Sequence, residues 1–314
     1  MPEAGKKYRL ITRSDMDGLI CAVILKEVDL INEVTFAHPN DMQHGKVEVT
    51  GNDITTNLPY VEAAYMCFDH HASEVVRKGG QAPNHLINDK SPSCARLVFE
   101  SCGGRQNPAL KRITDDMMEA VDRADSANFP QSDLLHPEGW VMLAFITDAR
   151  TGLGRFRDFT ISNHQLMMKL IDYCRDLSID QILALPDVRE RVDLYLKHKI
   201  QCRAQIERCS TLRKNLIVLD LRHEGKIWSG NRFMIYALFP RCNISMHILR
   251  GKNKQNTVFT VGKSILNRTS NTHVGKLMLE YGGGGHERAG TCQVENDHAD
   301  KVLRELISRI SGDG

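Results

Sequence analysis

The sequence predicts an α/β protein: a parallel-sheet N-terminal domain with helices on both faces, a helical linker, and a smaller mixed α/β C-terminal domain. Three observations carry this expectation. Over the first 160 residues, apolar runs of strand length alternate with capped segments of helix length, the pattern of strands joined by helical crossovers. Residues 161–214 are mostly helical in spacing and richer in charge. From Asn215 onward strand-like runs return, mixed with two helical patterns. The expected domains are therefore 1–160, 161–214 and 215–314.

The elements follow in order. "YRLIT" reads as a short buried strand that runs into "RSDMDG" and the apolar helix "LICAVILKEVDLI". "VTFAHP" is a second strand, "KVEVTGND" alternates and ends in a turn, and "AAYMCF" is the next strand. "SPSCARLVFESCGG" is a capped helix, with Ser91 as the N-cap, Pro92 in the first turn and Gly103 as the stop. "TDDMMEAVDRADSANF" has helical spacing with Thr114 as its cap, and "WVMLAFITDAR" is an apolar element ending in an acid. In the C-terminal part, "LIVLDL", "FMIYALF", "ISMHIL", "NTVFTVGKSI" and "GTCQV" read as strands, and "HVGKLMLEY" and "ADKVLRELISRI" as helices.

Composition narrows the function classes. The chain has 314 residues, 41% hydrophobic and 25% charged, with a net charge of +2, which describes a globular protein. Near-neutral charge argues against strong binding to long duplex DNA, which calls for a basic domain. No apolar run reaches the ~20 residues of a membrane helix, and the N-terminus is not a secretory signal; the expected location is the cytoplasm. Nine cysteines without a C-x-x-C pair read as reduced core thiols.

Chemistry-bearing residues collect at the ends of the apolar runs. Asp15 and Asp17 follow "YRLIT", Asp53 follows "KVEVT", Asp69 follows "AAYMCF" together with His70 and His71, and Asp148 follows "VMLAFIT". Ligands of open parallel sheets bind outside the carboxyl ends of the strands, so these acids are expected to meet. Carboxylates gathered there repel one another unless a cation compensates. Carboxylate mixed with imidazole, without thiolate, suits Mn²⁺, Mg²⁺ or Fe²⁺, and enough ligands for two ions suits phosphoryl displacement. Taken alone, "DMDG" also fits an incomplete calcium loop or the D-x-D of an aspartyl-phosphate phosphatase. A second signal is "YGGGGHERAG", residues 281–290, whose glycines let the backbone approach an anion.

With these motifs in hand, the chain resembles the DHH phosphoesterase superfamily. "SDMDG", "GND", "FDHH" and "ITDARTG" stand in the order of that family's four motifs, and Gly283-Gly284-Gly285-His286 is similar to the G-G-G-H loop of the DHH-associated domain. The resemblance covers nearly the whole chain. It implies that Asp15 binds one Mn²⁺, that Asp17, His70 and Asp148 bind the other, and that Asp53 bridges the two. Mg²⁺ or Co²⁺ could replace Mn²⁺, with up to two ions in all. It further implies that His71 faces the substrate phosphate, that Asp69 orients the histidines, and that the glycine loop, His286 and Arg288 hold the substrate's far end in a cleft between domains. Arg268 resembles a family arginine that contacts phosphate or nucleotide.

One departure stands out. Many family members carry a histidine just before the first D-x-D, whereas this chain has Arg13 close by. A guanidinium has no free lone pair for a metal but suits a substrate phosphate. Arg150, Arg155 and Arg157 follow Asp148, with Arg150 as a candidate clamp on the transition state. The leading expectation is an exopolyphosphatase-related, metal-dependent phosphoesterase acting by activated water on a small anionic substrate, polyphosphate or a short oligonucleotide. The alternatives are a phosphodiesterase acting on short oligonucleotides, pAp or cyclic-dinucleotide products, and a phosphoryl-ligand-binding protein without turnover. A homodimer is compatible with each.

Overall fold

The computed structural model describes residues 5–71, 74, 82–156 and 158–314; Arg157 lies outside them. Contacts divide the chain into two compact units. The first joins the N-terminal 128 residues to Pro137–Leu194, and the second joins Phe129–His136 to Tyr195–Gly314.

The first unit is built on a five-stranded parallel sheet of β1 (Tyr8–Arg13), β2 (Ile31–Ala37), β3 (Asp53–Thr56), β4 (Met66–Asp69) and β5 (His85–Ile87), in the order β2-β1-β3-β4-β5. The order reverses between β1 and β3. In sheets of this kind that reversal opens a crevice at the carboxyl edge, where ligands bind. Helix α1 (Met16–Glu27) is buried from Met16 to Leu25, which explains its unbroken apolar run. It starts hard against β1. A Cβ on Gly18 would stand 1.9 Å from the Arg13 carbonyl oxygen, so only glycine lets the helix leave the strand there.

Among the described residues the further α-helices of this unit are α2 (Pro39–Gln43), α3 (Cys94–Ser101), α4 (Asp115–Ser126), α6 (Gly139–Thr147), α7 (Asn163–Asp176), α8 (Ile179–Ala184) and the start of α9 (Pro186–Cys209). α5 (Gln131–Leu135) packs in the second unit, where Gln131 donates to the Ala237 carbonyl at 2.9 Å and Asn231 donates to the Leu134 carbonyl at 2.8 Å.

Several expectations need correction. Ser93, not Ser91, caps α3, accepting the Arg96 N–H at 3.0 Å. "VMLAFIT" lies in α6, buried on every side from Trp140 to Ile146; an apolar run without periodicity does not reveal its own secondary structure. "KVEVT" forms no strand. Val47 and Val49 pack against Ile11, Met42 and Leu58, while the ladder position beside β1 is taken by the wholly buried "DITT" of β3.

The second unit holds a six-stranded mixed sheet in the order β10-β11-β9-β8-β7-β6, from β6 (Ser210–Arg213), β7 (Leu216–Asp220), β8 (Ile244–Arg250), β9 (Thr257–Lys263), β10 (Gly284–Gly285) and β11 (Ala289–Val294). Only β7 and β8 pair in parallel. β6 begins where α9 ends, inside the stretch expected to be helical. "FMIYALF" forms helix α10 (Met234–Leu238), not a strand. Helices α11 (Val274–Leu279) and α12 (Ala299–Asp313) cover a core of Ile244, Met246, Phe259, Val261, Leu277 and Leu306. All nine cysteines are free thiols. Among the described residues no helix is long and apolar enough to cross a membrane.

Candidate metal centre and active site

The carboxyl edge of the first sheet gathers side chains from several elements. Asp17 comes from the first turn of α1, His70 follows β4, and Asp125 sits in the last turn of α4; one ligand atom from each lies within 4.8 Å of the others. His70 Nε2 stands 2.8 Å from Asp125 Oδ2 and 3.8 Å from Asp17 Oδ2.

Each of the three is fixed from behind. Asp17 accepts the N–H groups of Cys94 (3.1 Å) and Ala95 (2.7 Å), the first turn of α3. His70 Nδ1 lies 3.2 Å from the Ser91 carbonyl oxygen. A carbonyl only accepts, so Nδ1 carries the hydrogen, and neutral His70 presents the lone pair of Nε2 to the cluster. Asp125 is one turn beyond Asp122, which accepts Ser93 Oγ at 2.7 Å and Arg96 Nη2 at 2.6 Å.

The electrostatics call for a cation. Burial pushes the Asp17 carboxyl well above its ordinary value, and Asp125 adds to the rise. Burial pushes the His70 imidazole down, but Asp125 and Asp17 outweigh it and raise the pKa to about 9. His70 Nε2 has no well-aligned hydrogen-bond partner despite its burial. A divalent ion on two carboxylate oxygens and one imidazole nitrogen satisfies all three groups, and the donor set suits Mn²⁺-type chemistry.

The expected first-metal half differs. Asp15 caps α1 by accepting the Gly18 N–H at 3.0 Å, and it takes Asn57 Nδ2 at 3.3 Å. Arg13 Nε lies 2.9 Å from Asp15 Oδ2. Burial raises the Asp15 carboxyl and Arg13 pulls against it. Positive charge is already present here as a guanidinium.

Asp53 is not at this edge. It opens β3 at the amino end of the sheet, about 13 Å of strand away from Asn57. There it accepts Arg9 Nε (2.7 Å), Arg9 Nη2 (2.9 Å) and the Thr50 N–H (2.6 Å). Burial works to raise its carboxyl, yet Arg9 and Thr50 hold it below the ordinary range. The residue at the carboxyl end of β3, the position expected for Asp53, is Asn57. Asp148 follows helix α6 instead of a strand and stands outside the three-residue cluster; Arg150 Nε binds it at 2.8 Å. Asp148 and Arg150 line a cavity of about 660 Å³ together with Arg13 and Asp15.

Asp69 and His71 form a second polar unit. Asp69 Oδ1 takes the N–H groups of His70 (2.8 Å) and His71 (3.3 Å) and lies 2.7 Å from His71 Nδ1. The carboxylate fixes the His71 tautomer with hydrogen on Nδ1 and leaves Nε2 for other partners. In the second unit the glycine run forms a tight hairpin. Gly284 and Gly285 pair with Thr291 and Gly290, and a Cβ on Gly283 would stand 2.1 Å from the Thr291 carbonyl oxygen. His286 and Arg288 at its turn are exposed, as is Arg268, whose Nε donates to the Ile265 carbonyl at 3.1 Å.

Asp125 is the candidate metal ligand that sequence reasoning missed. Its signal was present: Asp122 and Asp125 stand three apart in "DRADSAN", on one face of a helix near its end.

No protein-family model matches the sequence, and no curated protein does. Among solved structures, a pGpG-specific phosphodiesterase, PggH from Vibrio cholerae, is 53% identical over 98% of this chain and 100% of its own, with a TM-score of 0.88. The chain belongs to the DHH-family phosphoesterases. RecJ from Thermus thermophilus, in complex with Mn²⁺, shares the fold at 12% identity, covering 98% of this chain and 52% of its own with a TM-score of 0.54. As a DHH-type enzyme, this chain is a metal-dependent phosphodiesterase. The short-oligonucleotide expectation is thereby favoured over the exopolyphosphatase one.

Proposed function

We propose that the chain hydrolyses short 5′-phosphorylated guanine dinucleotides, with pGpG as the reference substrate, to mononucleotides. The observation that supports this most is the 53% identity, over the full length, to a protein described as pGpG-specific. Water adds across the P–O3′ bond: its oxygen joins phosphorus and a proton goes to the departing 3′ oxygen. A divalent ion on Asp17, His70 and Asp125, Mn²⁺ first with Mg²⁺ or Co²⁺ as substitutes, would acidify that water and stabilise charge on the phosphoryl oxygens. His71, held by Asp69, moves the proton through Nε2. Arg13 and Arg150, both lining the cavity, carry charge that opposes the developing oxyanion.

In this reading one resident ion suffices. Arg13 and Asn57 stand where a second ion would need a histidine and a carboxylate, and Asp15 is partly neutralised by Arg13. The first unit is catalytic, and the second binds substrate through its glycine hairpin, His286, Arg288 and Arg268.

The test is a panel of pGpG, pApA, pAp and polyphosphate, incubated with metal-stripped protein restored with Mn²⁺, Mg²⁺ or Co²⁺ and resolved by chromatography. GMP released from pGpG, with less from the others, supports the proposal. Phosphate from polyphosphate without GMP from pGpG overturns it. Metal analysis of the same preparation is expected to give one tightly held ion per chain.

A further inference from the structure

The cavity of about 660 Å³ in the first unit is of the size that holds a small-molecule ligand. Its lining includes the charged groups Arg13, Asp15, Asp148 and Arg150. Phe36, Leu153 and Met167 add apolar wall, and His38, Asp41 and Asn163 add three more polar groups. His38 and Asp41 lie just beyond the carboxyl end of β2, on the same sheet edge as the metal cluster. The mechanism above uses none of these three.

Their donor and acceptor roles are fixed by their neighbours. His38 Nδ1 accepts the Asn40 N–H at 3.1 Å, so the neutral ring carries its hydrogen on Nε2 as a donor. Asn163 Oδ1 accepts Arg191 Nε at 3.3 Å and Nη2 at 3.2 Å. A guanidinium only donates, so the oxygen faces it and the Asn163 amide NH₂ remains a donor. Asp41 is an acceptor; its contact with Lys46, at 3.1 Å, is an exposed ion pair of the weak kind. Two donors and one carboxylate acceptor lining the same cavity as Phe36 match guanine, whose N7 and O6 accept and whose N1–H and N2–H₂ donate. Adenine would set the bare lone pair of its N1 against the carboxylate.

We propose that this cavity is the guanine-reading pocket for the nucleotide whose phosphate lies against Arg13, with Asp41 as the specificity-determining residue. Phe36 supplies a ring for the base to pack on. The proposal rests on the guanine-dinucleotide reading given above.

The experiment measures kcat/KM for pGpG and pApA, with a base-free phosphodiester, bis(p-nitrophenyl) phosphate, as a reporter of intact chemistry. The forms compared are wild type, Asp41→Asn, Asp41→Ala and Phe36→Ala. Wild type is expected to prefer pGpG. Asp41→Asn and Asp41→Ala are expected to lower kcat/KM for pGpG by about 10- to 100-fold, the worth of one bidentate base contact. They should leave pApA equal or better and the reporter unchanged. Phe36→Ala is expected to raise KM for both dinucleotides alike, because stacking is tolerant of base identity. Guanine preference that survives both Asp41 substitutions in chains active on the reporter overturns the pocket and leaves the pGpG reading standing. A wild type that cleaves polyphosphate and no dinucleotide overturns that reading and the pocket with it.

Discussion

Asp15 and Asp17 are two residues apart, on one turn of chain, in opposite electrostatic settings. Asp17 faces His70 and Asp125, a group whose positive charge is exchangeable: a proton on the imidazole or a metal ion. Asp15 faces the guanidinium of Arg13, a fixed cation. Burial raises both carboxyls. The contrast shows that an acid-rich strand edge has two remedies for its own repulsion, and that one fold can use them side by side. In the proposed reaction the first would hold the catalytic ion, and the second would set a fixed cation against the substrate phosphate.

The largest effect expected from breaking this contrast is on the exchangeable side. Asp125→Ala should lower kcat on pGpG by about 10³-fold, because it removes a ligand of the ion that stabilises the transition state. Calorimetry should show the loss of tight Mn²⁺ binding, and a melting curve should show a folded chain. Retained turnover and metal affinity would remove Asp125 from the site.

On the permanent side the effect is smaller. Arg13→Met should reduce kcat/KM by about 10- to 100-fold through one lost charge-assisted contact, while the ion at Asp17, His70 and Asp125 still binds. The double substitution Arg13→His with Asn57→Asp should convert that side to the exchangeable kind, with metal analysis rising from one ion to two. A stoichiometry that stays at one would show that Arg13 and Asn57 are not what holds the count down.

Proton linkage sharpens the contrast further. The His70 pKa is raised to about 9 by its carboxylate neighbours, and an ion needs the neutral ring. Below pH 9 the ion must therefore displace a proton, so its affinity should weaken as pH falls, by up to about tenfold per unit. Titrations in buffers of different ionisation enthalpy should show about one proton released per ion at pH 7.

The smallest effect on turnover belongs to Asp53→Asn. The residue sits at the far end of β3 with Arg9, so kcat should be unchanged. Loss of a buried charge partner should lower stability by about 2–3 kcal/mol in urea unfolding. An inactive but stable Asp53→Asn would return Asp53 to the active site.

That last pair of residues also shows what the sequence made legible. The motifs "DMDG" and "FDHH" were readable because their acids and histidines directly follow buried strands, and their chemistry is local. Asp53 was misread because "KVEVT" alternates like a strand while lacking a ladder partner, whereas "DITT" has two, β1 and β4. Asn57 escaped notice because an amide does not announce itself as the counterpart of a carboxylate. Asp125 escaped because it arrives from a helix whose place against α1 and α3 is settled by packing far along the chain, through Asp122, Ser93 and Arg96. The strand order, with its reversal between β1 and β3, is likewise a property of long-range pairing and not of any local run.

The Asp122 clamp has a mechanical consequence. Asp17 is anchored to the first amides of α3, and Asp125 is anchored through Asp122 to Ser93 and Arg96 at the start of the same helix. Both carboxylates are therefore dimensioned from one common datum. A displacement of α3 would carry the two together, so the bite of the site would keep its width while its position changed.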